Sequence, residues 1–122
     1  MNHQRFIEAA DIVFCNFPMH DGSKLYHPGL VIAVEQVATG RTWLRLALGS
    51  SKHVCESGHL NTEFVIVTAE DIQRAGLHKA TVFDLSKTAR VSVTDCRLMG
   101  CVDMKDAKTF ARLRAAVLAS MV

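Results

Sequence analysis

Short apolar or alternating runs recur along this chain, and the polar breaks between them mark its turns. Ile12-Val13-Phe14-Cys15-Asn16-Phe17 follows Asp11, and its β-branched and aromatic content predicts a strand that Pro18 closes. Met19 to Lys24 is polar, with a turn signal at Asp21-Gly22. Leu30-Val31-Ile32-Ala33-Val34 is a near-continuous apolar run, the pattern of a buried central strand. From Thr42 to Leu48 the alternation is regular, with Trp43, Arg45 and Ala47 on one side and Leu44, Leu46 and Leu48 on the other. Phe64 to Val67, Thr81 to Leu85 and Ala89 to Val93 suit three further strands.

Helical spacing occurs in three places. Asn2 caps an expected short helix that runs to Ala9 or Ala10 with Phe6 on its face. Thr68 and Asp71 form a capping-box start for a second helix, which Gly76 ends. Asp103 caps an expected terminal helix whose apolar stripe is Phe110, Leu113, Val117 and Met121. Strands outnumber helices and no β-α-β alternation is present, so the fold class is mainly β. The expected architecture is a small antiparallel barrel or curled sheet with helices packed on it, formed by residues 1–122 as one domain.

Composition narrows the function. The charge of +2, from 14 basic and 12 acidic side chains, permits a local basic patch without demanding one. No apolar run approaches the ~20 residues of a membrane span, and the first residues lack a signal-peptide pattern. A cytoplasmic protein with no membrane role is therefore expected. Its four cysteines are expected to be reduced thiols, with Cys15 as a core filler. None of them forms a Cys-x-x-Cys pair, so no metal and no cofactor is expected.

The motifs of phosphate-binding loops, dinucleotide folds, zinc proteases and α/β-hydrolases are all absent. Polar clusters at strand ends remain: His20, Asp21, Ser23, Lys24 and His27; Ser50, Ser51, Lys52 and His53; Asp84 and Lys87. Brought together, they would supply a proton acceptor, hydroxyls and cations. Metal-free phosphodiester cleavage needs that set: a base for the 2′-hydroxyl, an acid for the leaving oxygen, and donors for the phosphorane charge.

The order of these segments resembles the MazF/PemK family of toxin ribonucleases. Asp11 to Pro18 is similar to the family's opening acidic strand ending in Phe-Pro, and Gly22 to Ile32 to its Gly-Ser loop, Pro and buried strand. Gly49-Ser50-Ser51-Lys52, Glu63 to Ile66, Ala75-Gly76-Leu77 and Thr81 to Leu85 resemble later motifs of a subgroup. The resemblance covers about Asp11 to Val91.

It implies an SH3-like antiparallel barrel with a short inserted helix and a C-terminal helix. It also implies a homodimer, an antitoxin partner protein, growth inhibition, and single-stranded RNA as substrate. His27 stands where the family has a catalytic arginine, Ser50 and Ser51 stand for its Thr-Ser pair, and Asp84 fits an acidic position. The implied catalytic set is thus His27, Ser50, Ser51 and Asp84, with His20 in the loop over the site; Ser23, Lys24 and Lys52 of the polar clusters are expected to bind RNA beside it, the lysines in place of the missing cation. Arginine is a permanent forked cation and histidine titrates near neutrality. The exchange at His27 leaves two expectations open: an endoribonuclease that uses His27 as acid or base, or a catalytically inactive barrel that binds RNA or a protein partner.

Overall fold

The computed structural model describes residues 6–18, 24–52, 54 and 59–121, with the backbone alone at 17, 18, 24 and 25. Six strands form one antiparallel sheet: β1 (Asp11–Pro18), β2 (Lys24–Gln36), β3 (Thr42–Ser50), β4 (Glu63–Ile66), β5 (Thr81–Ser92) and β6 (Cys96–Cys101). Their order is β4-β5-β3-β2-β1-β6. Helix α1 (Ala69–Ala75) joins β4 to β5, and helix α2 (Ala107–Ser120) follows β6. The mainly β class, the inserted helix and the terminal helix match the sequence reading. The sheet is not closed into a barrel, because its end strands β4 and β6 pair only inward, with β5 and β1.

Chain neighbours on these strands enter two different cores. Ile12, Leu30 and Ala47 join Phe64 and Phe83 of the sheet with Ala75 of α1 and Leu113 and Ala116 of α2. The residues beside them, Val13, Val31 and Leu46, join Cys15, Leu44 and Val91. A period of two sends such neighbours to opposite faces, so the central strands are covered on both sides. That is why Leu30 and Val31 are both apolar and buried, whereas Val34, at the end of the same run, is 39% exposed. The register shifts between Ile12 and Val13, between Val31 and Ala33, and between Ala47 and Gly49. Such irregularities bend and twist strands. The last of them ends the alternation expected through Leu48: Ala47 is fully buried and Leu48 is 39% exposed.

Several local expectations are corrected. Residues 6–10 form coil and a turn instead of the end of a helix, and residues 1–5 lie outside the described residues. Ala10 takes the left-handed region at φ 75°, while the buried Asp11 carboxylate accepts the Glu8 N–H at 2.8 Å. The two strands expected between Thr81 and Val93 are one strand, β5. Helix α2 is capped by Asp106, whose Oδ2 accepts from Thr109 N at 3.0 Å; Asp103 lies in the turn before it. The buried face of α2 is Thr109, Leu113 and Ala116, while Phe110 and Met121 are 43% and 76% exposed. Small side chains at 109 and 116 let the helix approach the sheet closely, which a stripe of Phe and Met would prevent.

Cys15 lies in the core as expected, but the expectation of reduced thiols is overturned for two of the cysteines. Cys15 and Cys96, 81 residues apart, are joined by a disulfide. The ladder between β1 and β6 sets them directly opposite, with Cα atoms 4.5 Å apart. That separation lies within the range a disulfide spans. Cys101 is a free thiol, and Cys55 lies outside the described residues.

Candidate functional site

A cleft of about 330 Å³ opens where β1, β2, β3 and β6 meet the segment after α1. Each wall has a local cause. Phe14 on β1 pairs with Pro28 on β2 and with Arg97 on β6, so one cross-strand row presents all three. His27 precedes Pro28. Gly49 and Ser50 end β3, and Ser51 and Lys52 continue past it. Gly76, left-handed at φ 73°, ends α1 and turns the chain so that Leu77, His78 and Lys79 line the opposite side. Glycine reaches that backbone region without strain.

Gly49 is a point of close approach. A β-carbon built there would lie 2.6 Å from the Phe83 ring and 2.9 Å from the Thr81 methyl. The bare backbone lets β3 press onto β5 and presents its carbonyl to His27, whose Nδ1 lies 3.2 Å from Gly49 O. A carbonyl only accepts, so Nδ1 carries the proton. In the neutral ring Nε2 is then the acceptor nitrogen.

The hydroxyls differ in their surroundings. Ser50 Oγ accepts the Lys52 N–H at 3.1 Å, which folds the chain at the strand end and holds Lys52 in the cleft wall. Ser51 is exposed. Lys52, Lys79 and Arg97 add three cationic side chains to the same lining.

His27, Ser50, Ser51 and Lys52 thus share one cleft. Asp84 is not among its lining residues. Its Oδ1 accepts from Thr62 Oγ1 at 3.2 Å, Ser86 N at 3.0 Å and Ser86 Oγ at 2.6 Å. Desolvation, which raises a carboxyl pKa, is the largest single influence. The hydrogen bonds from Ser86 and Thr62, with the nearby Lys87 charge, together outweigh it and hold Asp84 below the usual 3.8. Asp84 is an ionised anchor between β5 and the turn before β4. His20 and Ser23 lie outside the described residues, as does the side chain of Lys24.

Arg97, His78, Lys79 and Thr81 line the cleft without having been singled out from sequence. No periodic signal marked β6 as a strand, so Arg97 gave no sign of its position. His78 and Lys79 lie in the loop between α1 and β5 and belong to no motif. The Gly76 cap, which the sequence does show, was the one clue that the chain reverses there.

Among the described residues no group of three or more His, Cys, Asp or Glu side chains is arranged to hold a metal ion. None of the described helices is long and apolar enough to cross a membrane. No protein-family model matches the chain, and no curated protein matches it. Among solved structures it is similar to the Mycobacterium tuberculosis toxin MazF-mt6, at 20% identity and a TM-score of 0.62, over 91% of this chain and 95% of that one. The chain has a MazF-like fold.

Proposed function

We propose that this chain is the toxin of a type II toxin–antitoxin system, an endoribonuclease that cleaves single-stranded RNA without a metal. The observation that carries the reading is the shared cleft, in which the His27 ring is oriented by the Gly49 carbonyl beside Ser50, Ser51 and Lys52.

In this reading His27 Nε2 takes the proton of a ribose 2′-hydroxyl, and the 2′-oxygen attacks the adjacent phosphorus. The Ser51 hydroxyl and the cations of the lining stabilise the charge that develops on the phosphorane oxygens. His78, the second imidazole of the cleft, protonates the departing 5′-oxygen. The products are a 2′,3′-cyclic phosphate and a 5′-hydroxyl. The protein works in the cytoplasm as a homodimer, inhibits growth, and is silenced by an antitoxin segment laid over the cleft.

Incubating the pure protein with a long RNA in EDTA tests the reading. Chelator-resistant cleavage that is lost in Ser51→Ala supports it. Intact RNA across a range of sequences overturns it.

A further inference from the structure

Most arginines described here are committed to neighbours. Arg45 and Arg90 share Glu35, Arg74 lies between Asp71 and Asp103, and Arg112 donates to the Val65 carbonyl above the Phe64 ring. Arg97 is exposed and makes no ion pair or hydrogen bond among the described residues. It lines both the cleft and an adjoining cavity of about 640 Å³, so the residue stands between the two hollows. A fork of donors at that point matches the geometry of a phosphodiester running from one hollow into the next.

The residue before it is Cys96, bonded to Cys15. Strand β6 is a sheet edge that pairs only with β1, through five residue pairs interrupted by a register shift. Edge ladders open locally at low cost. A covalent tie at the first residue of β6 removes that freedom one position from Arg97. We propose that the Cys15–Cys96 bond positions Arg97 as a phosphate-binding cation, so that binding of single-stranded RNA tightens when the cysteine pair is oxidised. This rests on the reading of the cleft as an RNA site.

The redox step is a thiol–disulfide exchange. The two thiols lose two protons and two electrons in joining, and an oxidised low-molecular-weight disulfide accepts them to become two thiols. A dithiol reverses the step. Cys15 is fully buried, whereas Cys96 lines the larger cavity and is the sulfur an incoming thiolate reaches. Disulfides of cytoplasmic proteins are commonly redox-sensing.

The test measures binding of a 2′-O-methyl RNA oligomer, which cannot be cleaved, as salt is varied, before and after treatment with dithiothreitol. Reduction is expected to weaken binding about tenfold or more and to lower the salt slope by about 0.7, one phosphate contact on a single strand. Arg97→Gln is expected to bind as weakly as the reduced protein and to ignore dithiothreitol. Arg97→Lys should recover part of the affinity and of the redox response. Arg41→Gln, an exposed change outside both cavities, should match the wild type in each state. If reduction weakens Arg97→Gln as much as the wild type, the bond acts on the fold at large and the positioning role is wrong. It is also wrong if oxidised glutathione leaves both thiols free by intact mass. Wild-type protein that binds no oligomer in either state overturns the RNA reading of the cleft and this inference with it.

Discussion

His27 and Gly49 are joined across neighbouring strands, the imidazole Nδ1 donating to the glycine carbonyl at 3.2 Å. The contact exists because Gly49 has no side chain to hold β3 away from Phe83 and Thr81. Gly49→Ala forces the Phe83 ring or the strand to move, and overpacking of this kind costs about 1–3 kcal/mol. The shifted carbonyl also releases the ring. Thermal melting should fall, and RNA cleavage should fall further than the lost folded fraction explains. A variant with normal stability and normal cleavage would show that the close approach orients nothing.

Ser50 and Ser51 are adjacent but separable. Ser50 Oγ accepts the Lys52 amide, so Ser50→Ala removes a hydrogen bond worth about 1 kcal/mol to the turn. Ser51 is exposed, and Ser51→Ala removes only an exposed hydroxyl. Melting should drop measurably in the first variant and stay unchanged in the second, with cleavage reduced in both. Unaltered cleavage in Ser51→Ala would remove it from the chemistry.

Asp84 predicts a dependence on acidity. Its folded pKa lies below the ordinary 3.8 because hydrogen bonds from Ser86 and Thr62 and the Lys87 charge outweigh desolvation. A lowered carboxylate pKa adds stability that is complete above the unfolded value and is lost as pH falls through the folded one. Asp84 is half-buried, and screening by the solvent that it still meets limits the effect to about 1 kcal/mol or less. Asp84→Asn should therefore lower the urea midpoint at pH 7, and the gap should close as pH falls below about 4. A gap that persists at the lowest pH would assign the loss to geometry instead of charge.

Helix α2 offers a test of which face is buried. Leu113 is 6% exposed and Phe110 43%. Leu113→Ala should cost roughly 2–4 kcal/mol by leaving a cavity. Phe110→Ser should cost under about 1 kcal/mol. Urea unfolding of the two variants ranks them, and a larger loss at Phe110 would mean that the helix packs with Phe110 turned toward the sheet.

Much of the fold was legible because burial on both faces leaves continuous apolar runs and caps leave named residues. The run Leu30 to Val34, the Thr68 cap and the Gly76 stop all lie where the pattern put them. What was illegible depended on pairing between distant segments. Nothing local in Cys96 to Cys101 marks an edge strand, so neither the Cys15–Cys96 bond nor the place of Arg97 beside Phe14 could be read. The α2 stripe was right at Leu113 and Val117, which pack in or against the core, and wrong at Phe110 and Met121. Which face of a helix is buried depends on the surface beneath it, and here that surface admits Thr109 and Ala116. In the cleft, the gathering of His27, Ser50, Ser51 and Lys52 follows from strands β2 and β3 being neighbours, a pairing that the sequence alone leaves as a condition. The part played by the segment after α1 came from a chain reversal whose destination no residue announces.

The central claim is that His27 acts on RNA directly as a base. End-group analysis of RNA cut in EDTA tests it most directly, with wild type and His27→Ala compared at equal folded concentration. The account predicts 2′,3′-cyclic phosphate and 5′-hydroxyl ends from the wild type, and a loss of at least about a hundredfold in rate for His27→Ala, the scale of a lost proton acceptor. Cleavage by His27→Ala at the wild-type rate, or 5′-phosphate ends from the wild type, would contradict it.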